Sequence, residues 1–264
     1  MARPSSLFIS HGSPDLIFHD TAAKQFLEKA AEGFEPPKGI VIASAHFETE
    51  RPAIVSDPQP DMIYDFGPID RRLNDVVYPA PGAPALAEQA ASLITDAGIE
   101  CDLIDRRGYD HGTWVPLSLL YINADIPIVQ LSVQRHLSAS HHYNIGKALR
   151  PLVDEEILVI GSGSMTHNLA ELFGPAGLKH QRQDQEMEWA RLFADWMNVQ
   201  IAAGAVDELL DYEAKAPFVR ENHPTAEHFL PLMVALGASS SGQGERLHKS
   251  TEFAILAMDA FAFH

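Results

Sequence analysis

The stretch LFISHGSP, residues 7–14, sets four small or apolar residues directly before an imidazole, a glycine and a proline. Leu7 to Ser10 read as a short buried β-strand, and Gly12 and Pro14 turn the chain at once. The same event recurs twice. GIVIASA (39–45) runs into His46, and ILVIGS (157–162) leads through a Gly/Ser-rich loop to His167. Further short runs at 53–56, 101–104 and 126–133 read as strands. Between them lie segments of helical period. One is TAAKQFLEKAAEGF (21–34); another is APALAEQAASLITDAG (83–98), with Pro84 in its first turn and Gly98 past its end. Residues 139–152 and 183–203 also read as helices. Continuous apolar strands alternating with amphipathic helices predict an α/β fold, with a mostly parallel central sheet flanked by helices. TEFAILAMDAFAFH (251–264) reads as a closing strand and SSSGQGER (239–246) as a surface loop. With no internal repeat and no linker, residues 1–264 read as a single domain.

Composition narrows the function. The 264 residues carry 36 acidic and 19 basic side chains, a net charge of −17, so neither nucleic acid nor an anionic membrane is an expected partner. One cysteine, Cys101, excludes an internal disulfide framework and a cysteine-rich zinc site. The opening MARPSSLFISHG lacks a long apolar segment, and no apolar run approaches the ~18 residues of a membrane span, which makes a cytoplasmic protein the expectation. Thirteen histidines are many for this length, and histidine is both the commonest metal ligand and the usual acid/base near neutral pH.

In open α/β sheets, ligands bind outside the carboxyl ends of the strands, which is where His11, His46 and His167 fall. Three imidazoles delivered to one sheet edge can converge although they lie far apart in the chain. A fourth comes from NHPTAEHFLPLMVALGA (222–238). Thr225 reads there as an N-cap, with Glu227 and His228 in the first turn of a helix ending near Gly237. Glutamate in that turn is explained by the helix dipole alone, whereas a neutral, metal-binding imidazole suits His228. A fifth candidate, His111 in RRGYDHGTWVPLSLLY (106–121), precedes a helix, with Asp110 a turn or cap residue. In the GSGSMTHNL loop, Asn168 is a candidate hydrogen-bonding partner for a substrate. The remaining histidines, His223 among them, read as loop or surface residues.

Taken in order, LFISHGSPD, VIASAHFET, YPAPGAPALA, GYDHGTWVPL, ADIPIVQLSV, THNL and PTAEHFLPLMVALGA closely resemble the class III (LigB-type) extradiol ring-cleavage dioxygenases, nearest the branch of extradiol DOPA dioxygenases. The resemblance spans about residues 7–237 and implies a single catalytic dioxygenase domain. It implies His11, His46 and His228 as metal ligands, and His167 as the active-site acid/base, close enough to serve as a fourth ligand. His111 corresponds to the histidine that contacts substrate. Implied as well are Fe(II) as the physiological metal, with Zn(II) able to fill the same site, and a small catechol and O₂ as reactants. An imidazole with its ordinary pKa of ~6.5 would take a catechol proton and return it at neutral pH. Two departures stand out: Phe47 where the family often has tryptophan, and YDFGPID (64–70) in place of a DFGGFP-like segment bordering the substrate. Arg71, Arg72, Arg106 and Arg107 lie near the substrate-side segments and are candidates to meet a carboxylate. A zinc hydrolase on the same histidines, and a non-catalytic metal-binding relative, are the rival readings; monomer and homodimer are both compatible with the chain.

Overall fold

Successive residues of a strand point to opposite faces, so a strand covered on both sides must be apolar throughout. The segment Gly39–Glu48 meets that demand. Ile40 and Ile42 enter one core layer and Val41 and Ala43 the other, all fully buried. A computed structural model describes residues 4–175 and 177–264. Its main sheet contains β1 (Ser6–Ser10), β2 (Gly39–Glu48), β3 (Ala53–Val55), β4 (Asp102–Ile104), β5 (Ile128–Val133) and β6 (Ile157–Gly163). Two-residue strands β7 (Phe173–Gly174) and β8 (Gly177–Leu178) form a separate hairpin, and β10 (Thr251–Glu252) pairs with β11 (Leu256–Ala257). Strands β9 (Gly244–His248) and β12 (Ala260–Phe263) complete an eight-stranded sheet of order β4-β3-β5-β2-β6-β1-β12-β9.

The central four strands β5, β2, β6 and β1 run parallel, so their carboxyl ends share one edge. Helices Ala22–Ala30 and His111–Leu120 cover one face through Leu27, Trp114, Val115 and Leu117. On the opposite face, helices Pro84–Asp96, Ala139–Ala148 and Leu230–Ala238 pack with Ala87, Ile94, Ile145 and Val234. The α/β architecture read from the strand and helix alternation is therefore the one present.

Several local expectations are corrected. β2 extends to Glu48, so His46 lies inside the strand rather than after it; its register on β5 shifts between Ala43 and Glu48, which frees this stretch from that ladder. Residues 244–246, read as part of a loop, belong with Leu247 and His248 to edge strand β9, antiparallel to β12. The helix read over 183–203 begins at Glu188, and that over 139–152 splits at Leu149, where Pro151 starts a new helix, Arg150–Asp154. The last helix starts at Leu230, with Pro231 in its first turn, so Glu227 and His228 sit in the turn before it. Thr225 caps nothing; its hydroxyl donates to Glu227 Oε1 at 3.0 Å.

Two glycines of β6 explain where that turn lies. A Cβ at Gly163 would strike the His228 carbonyl oxygen, and one at Gly161 the Pro231 carbonyl oxygen. Bare backbone therefore lets the 228–231 segment rest directly on the strand. The Ser164 N–H donates to the same His228 carbonyl at 2.9 Å, which ties the turn to the end of β6. Among the described residues, no helix is long and apolar enough to cross a membrane.

Candidate metal centre

Five segments bring their histidines to the carboxyl edge of the sheet. His11 follows β1 directly and its N–H donates to the Gly163 carbonyl at 3.0 Å. Gly12, at φ +69°, makes the left-handed turn that a side chain resists, and the space a Cβ would take is filled by Met258. His46 projects from β2, and His228 from the turn docked on β6. His111 opens the helix His111–Leu120, where buried Asp110 caps Thr113 N at 3.1 Å and accepts from the Ser44 hydroxyl of β2 at 2.6 Å. His167 hangs from the loop after β6, its N–H donating to the Asn222 carbonyl at 2.9 Å.

Three ring nitrogens converge. His46 Nε2 lies 3.2 Å from His11 Nε2 and 3.2 Å from His228 Nε2. The far nitrogen of each ring faces an oxygen. Ser162 donates its hydroxyl to the Gly112 carbonyl, leaving its oxygen to accept from His11 Nδ1–H at 3.1 Å. Glu227 Oε1 accepts from His228 Nδ1–H at 3.0 Å, and Asp65 Oδ2 lies 3.4 Å from His46 Nδ1. With a proton on each Nδ1, all three Nε2 atoms present lone pairs to one another, and no hydrogen remains to bridge them. Such an arrangement is repulsive unless a cation sits among the lone pairs. Two nitrogens held by one ion at about 2.1 Å and 90–110° apart lie about 3.0–3.4 Å from each other, which the observed spacing matches. The donor set therefore fits a transition metal.

Electrostatics point the same way. Burial, reinforced by neighbouring imidazoles, holds His11 and His228 well below the usual imidazole range. His46 is lowered by burial and by His111 despite the opposing pull of Asp65. Neutral rings are the form that binds metal. Glu227, the alternative third ligand, stands behind His228 on the Nδ1 side, so the atom facing His46 belongs to His228.

His167 stands apart from this trio. Its ring stacks flat on His228 at 3.5 Å and 9°, and its nitrogen groups with Glu227 and His228 rather than with His11 and His46. Burial, then the charges of His223 and His111, push its pKa down to about 3, far from the ordinary value assumed from sequence. His111 lies against His46 with the rings tilted by 45° and their centres 3.8 Å apart.

Asp65 was not singled out by sequence reasoning. Its Oδ1 accepts from His111 N–H at 3.0 Å and from His111 Nδ1 at 2.9 Å, while Oδ2 faces His46. Burial acts to raise this carboxyl, but the His111 hydrogen bond and the His111 and His46 charges outweigh it and hold it at about 2. The one available signal was its place in YDFGPID, the segment expected to border substrate. Asn168, by contrast, does not face the site: it caps Glu171 N at 3.1 Å and donates to the Glu221 carbonyl at 2.8 Å. Phe47 points away as well, packed under the Arg107 guanidinium at 4.1 Å.

Above the histidines opens a cavity of about 520 Å³, bordered by Phe66, Ile69, Leu169, Leu172 and Phe173. This volume lies in the range that takes small organic ligands. None of Arg71, Arg72, Arg106 or Arg107 lines it. Arg72 pairs with Asp70 at 2.7 Å and Arg107 with Asp110 at 2.9 Å.

An open α/β sheet with a histidine cluster fit for a metal, and a small-molecule cavity at its strand ends, has the form of a metal-dependent enzyme. Residues 6–263 match the family model described as the catalytic LigB subunit of aromatic ring-opening dioxygenase, and the chain belongs to that family. Among its relatives is a "4,5-DOPA dioxygenase extradiol" of Beta vulgaris, 41% identical over 263 residues, covering 98% of this chain and 96% of the relative. A protein of the same name from Escherichia coli (strain K12) is 34% identical over 242 residues, covering 89% and 85%. A crystal structure of an uncharacterized Escherichia coli K12 protein superposes with a TM-score of 0.80 at 30% identity, over 98% of this chain and 99% of that one. The chain is thus an extradiol aromatic ring-opening dioxygenase, an enzyme class that acts on a small aromatic substrate and O₂ with the help of a metal.

Proposed function

We propose that this enzyme opens a catechol ring at the bond beside the diol, with Fe(II) held by His11, His46 and His228. The observation that carries the reading is the convergence of three neutral Nε2 lone pairs, each ring backed by its own acceptor. Held by His11, His46 and His228, Fe(II) would supply the redox chemistry that a reaction of a catechol with O₂ requires. Zinc accepts the same donors but has no redox chemistry, so iron suits the reaction and zinc would occupy the site without turnover.

The chain's own residues perform the rest. His167, neutral and on the cavity wall, is placed to take the proton of a catechol hydroxyl. Its low basicity in the free enzyme is corrected on binding, because a substrate anion beside the ring favours the imidazolium and raises its pKa. It can then return that proton to an oxygen leaving the cleaved O–O bond. His111, with Nδ1 bonded to Asp65, presents its remaining nitrogen toward the cavity for the substrate or its oxygen. The relatives named for DOPA support a catecholic substrate, and the rim residues hold it away from bulk water.

Oxygen uptake by protein loaded anaerobically with Fe(II), measured against a panel of catechols, tests this reading. Uptake with a yellow ring-fission product, abolished in His11→Ala and absent from zinc-loaded protein, is expected. One tightly bound iron per chain with no uptake from any catechol would refute it.

A further inference from the structure

The cavity's wall says more about the substrate than its floor does. Between the histidines and solvent stand Phe66, Ile69, Leu169, Leu172 and Phe173. Three of them are strikingly open for their type only at the rim: Ile69 is 46% exposed, Leu169 50% and Phe173 48%. Apolar side chains collected at the mouth of a cavity favour an apolar partner.

The charges confirm the direction of this preference by their placement. No lysine or arginine lines the cavity among the described residues, and the carboxylate there, Asp65, already holds His111 and faces His46. Three basic residues have partners of their own. Arg72 lies on Asp70, Arg182 on Asp15 at 2.8 Å, and Lys179 donates to the Ala170 carbonyl at 2.6 Å while facing Glu171 at 3.6 Å. A carboxylate carried against this wall, away from the histidines, would lose water and meet no lysine or arginine there, in a chain whose net charge is −17. The volume of about 520 Å³ also exceeds what a bare catechol fills.

We infer that the substrate is a catechol bearing an uncharged, apolar substituent, which lies against the Phe66–Ile69 and Leu169–Phe173 walls. This rests on the catechol-cleaving reading above. It sets this enzyme apart from one built around an amino-acid or carboxylate side chain, because either would place an unpaired anion on this wall.

A matched pair isolates the point: 4-propylcatechol and 3-(3,4-dihydroxyphenyl)propanoate share a chain length and differ by a methyl against a carboxylate. In the Fe(II)-loaded enzyme, kcat/KM is expected to favour propylcatechol by on the order of tenfold or more. Ile69→Arg places a cation on the rim and should shift this ratio at least tenfold toward the propanoate. Lys179→Met should leave it unchanged; a selective loss of the propanoate in that variant would mean that Lys179 swings in to bind it, and would overturn the inference. Affinities of the same two compounds for zinc-loaded protein, by calorimetry, read the wall independently of turnover. Preference for propylcatechol there without oxygen uptake from the iron enzyme upholds the apolar wall and sinks the reading of Fe(II)-dependent catechol cleavage. Equal or tighter binding of the propanoate overturns the inference whatever the turnover.

Discussion

Replacing Asp65 with asparagine exchanges one oxygen for an NH₂ group and tests how the centre is built. The carboxylate serves three donors: the N–H and Nδ1–H of His111, at 3.0 and 2.9 Å, and His46 Nδ1, at 3.4 Å. An amide has one acceptor oxygen in place of two. Whichever way it is turned, its NH₂ faces one of the two rings, and a donor then opposes a donor. If the oxygen stays on His111, His46 must move its proton to Nε2 and withdraw the lone pair that faces His11 and His228. Loss of such a supporting hydrogen bond typically costs 10–100-fold in metal affinity or activity, about 1.4–2.7 kcal/mol. Asp65→Asn is thus expected to weaken metal binding 10–100-fold, measured by chelator competition with Zn(II), while circular dichroism and thermal unfolding of the metal-free protein stay close to wild type. If the amide turns its oxygen to His46 instead, affinity is kept and kcat/KM falls through His111. Unchanged affinity together with unchanged kcat/KM would show that the carboxylate orients neither ring, and the reasoning would fail.

His167→Ala should lower kcat by roughly 10²–10⁴ while the protein still binds one metal per chain, as atomic absorption would show; loss of the metal along with activity would instead make His167 a ligand. Gly163→Ala drives a methyl into the His228 carbonyl and should destabilise the fold by ~1–3 kcal/mol in urea unfolding and reduce metal affinity with it; a neutral substitution would mean that the turn is not seated on β6 as described. Burial also lowers His142 and His223 to about 4, below the ordinary 6.5. Imidazoles depressed in this way contribute stability that is complete above about pH 6.5 and lost as pH falls toward 4. Metal-free protein should therefore lose up to about 1.4 kcal/mol per pH unit for each of them across that window, and His142→Gln should flatten the slope by one histidine's share. An identical slope in that variant would remove His142 from the account.

The sheet was legible because its strands are continuous apolar runs, and the edge that holds the site follows from where those runs stop. His11 could be placed to the residue, since Gly12 and Pro14 mark the turn. His46 could be placed only to the strand end: its bulge depends on pairing with β5, about 80 residues on, and pairing leaves no local trace. His228 was found for an incomplete reason. Thr225 and Glu227 imitate a helix start, but the real helix begins at Leu230, and the turn is set by bare glycines on β6. Asp65 and Ser162 stayed hidden because their partners lie 46 and 151 residues away, in segments without periodicity. Strand β9 was lost for a related reason: GERLH is half-polar at a sheet edge, and only β12 makes it a strand.

His11, His46 and His228 lie 35 and 182 residues apart along the chain, yet their nitrogens meet within a few ångströms. An ion gripped by all three acts as a removable crosslink between the first strand, the second and the turn that precedes the last long helix. By mass action, free metal at a hundred times its dissociation constant adds about 2.7 kcal/mol to the stability of the whole chain. Melting temperature becomes, in effect, an ammeter for the centre: it registers occupancy without any substrate, and a cell short of the ion would hold a measurably softer protein before it held an inactive one.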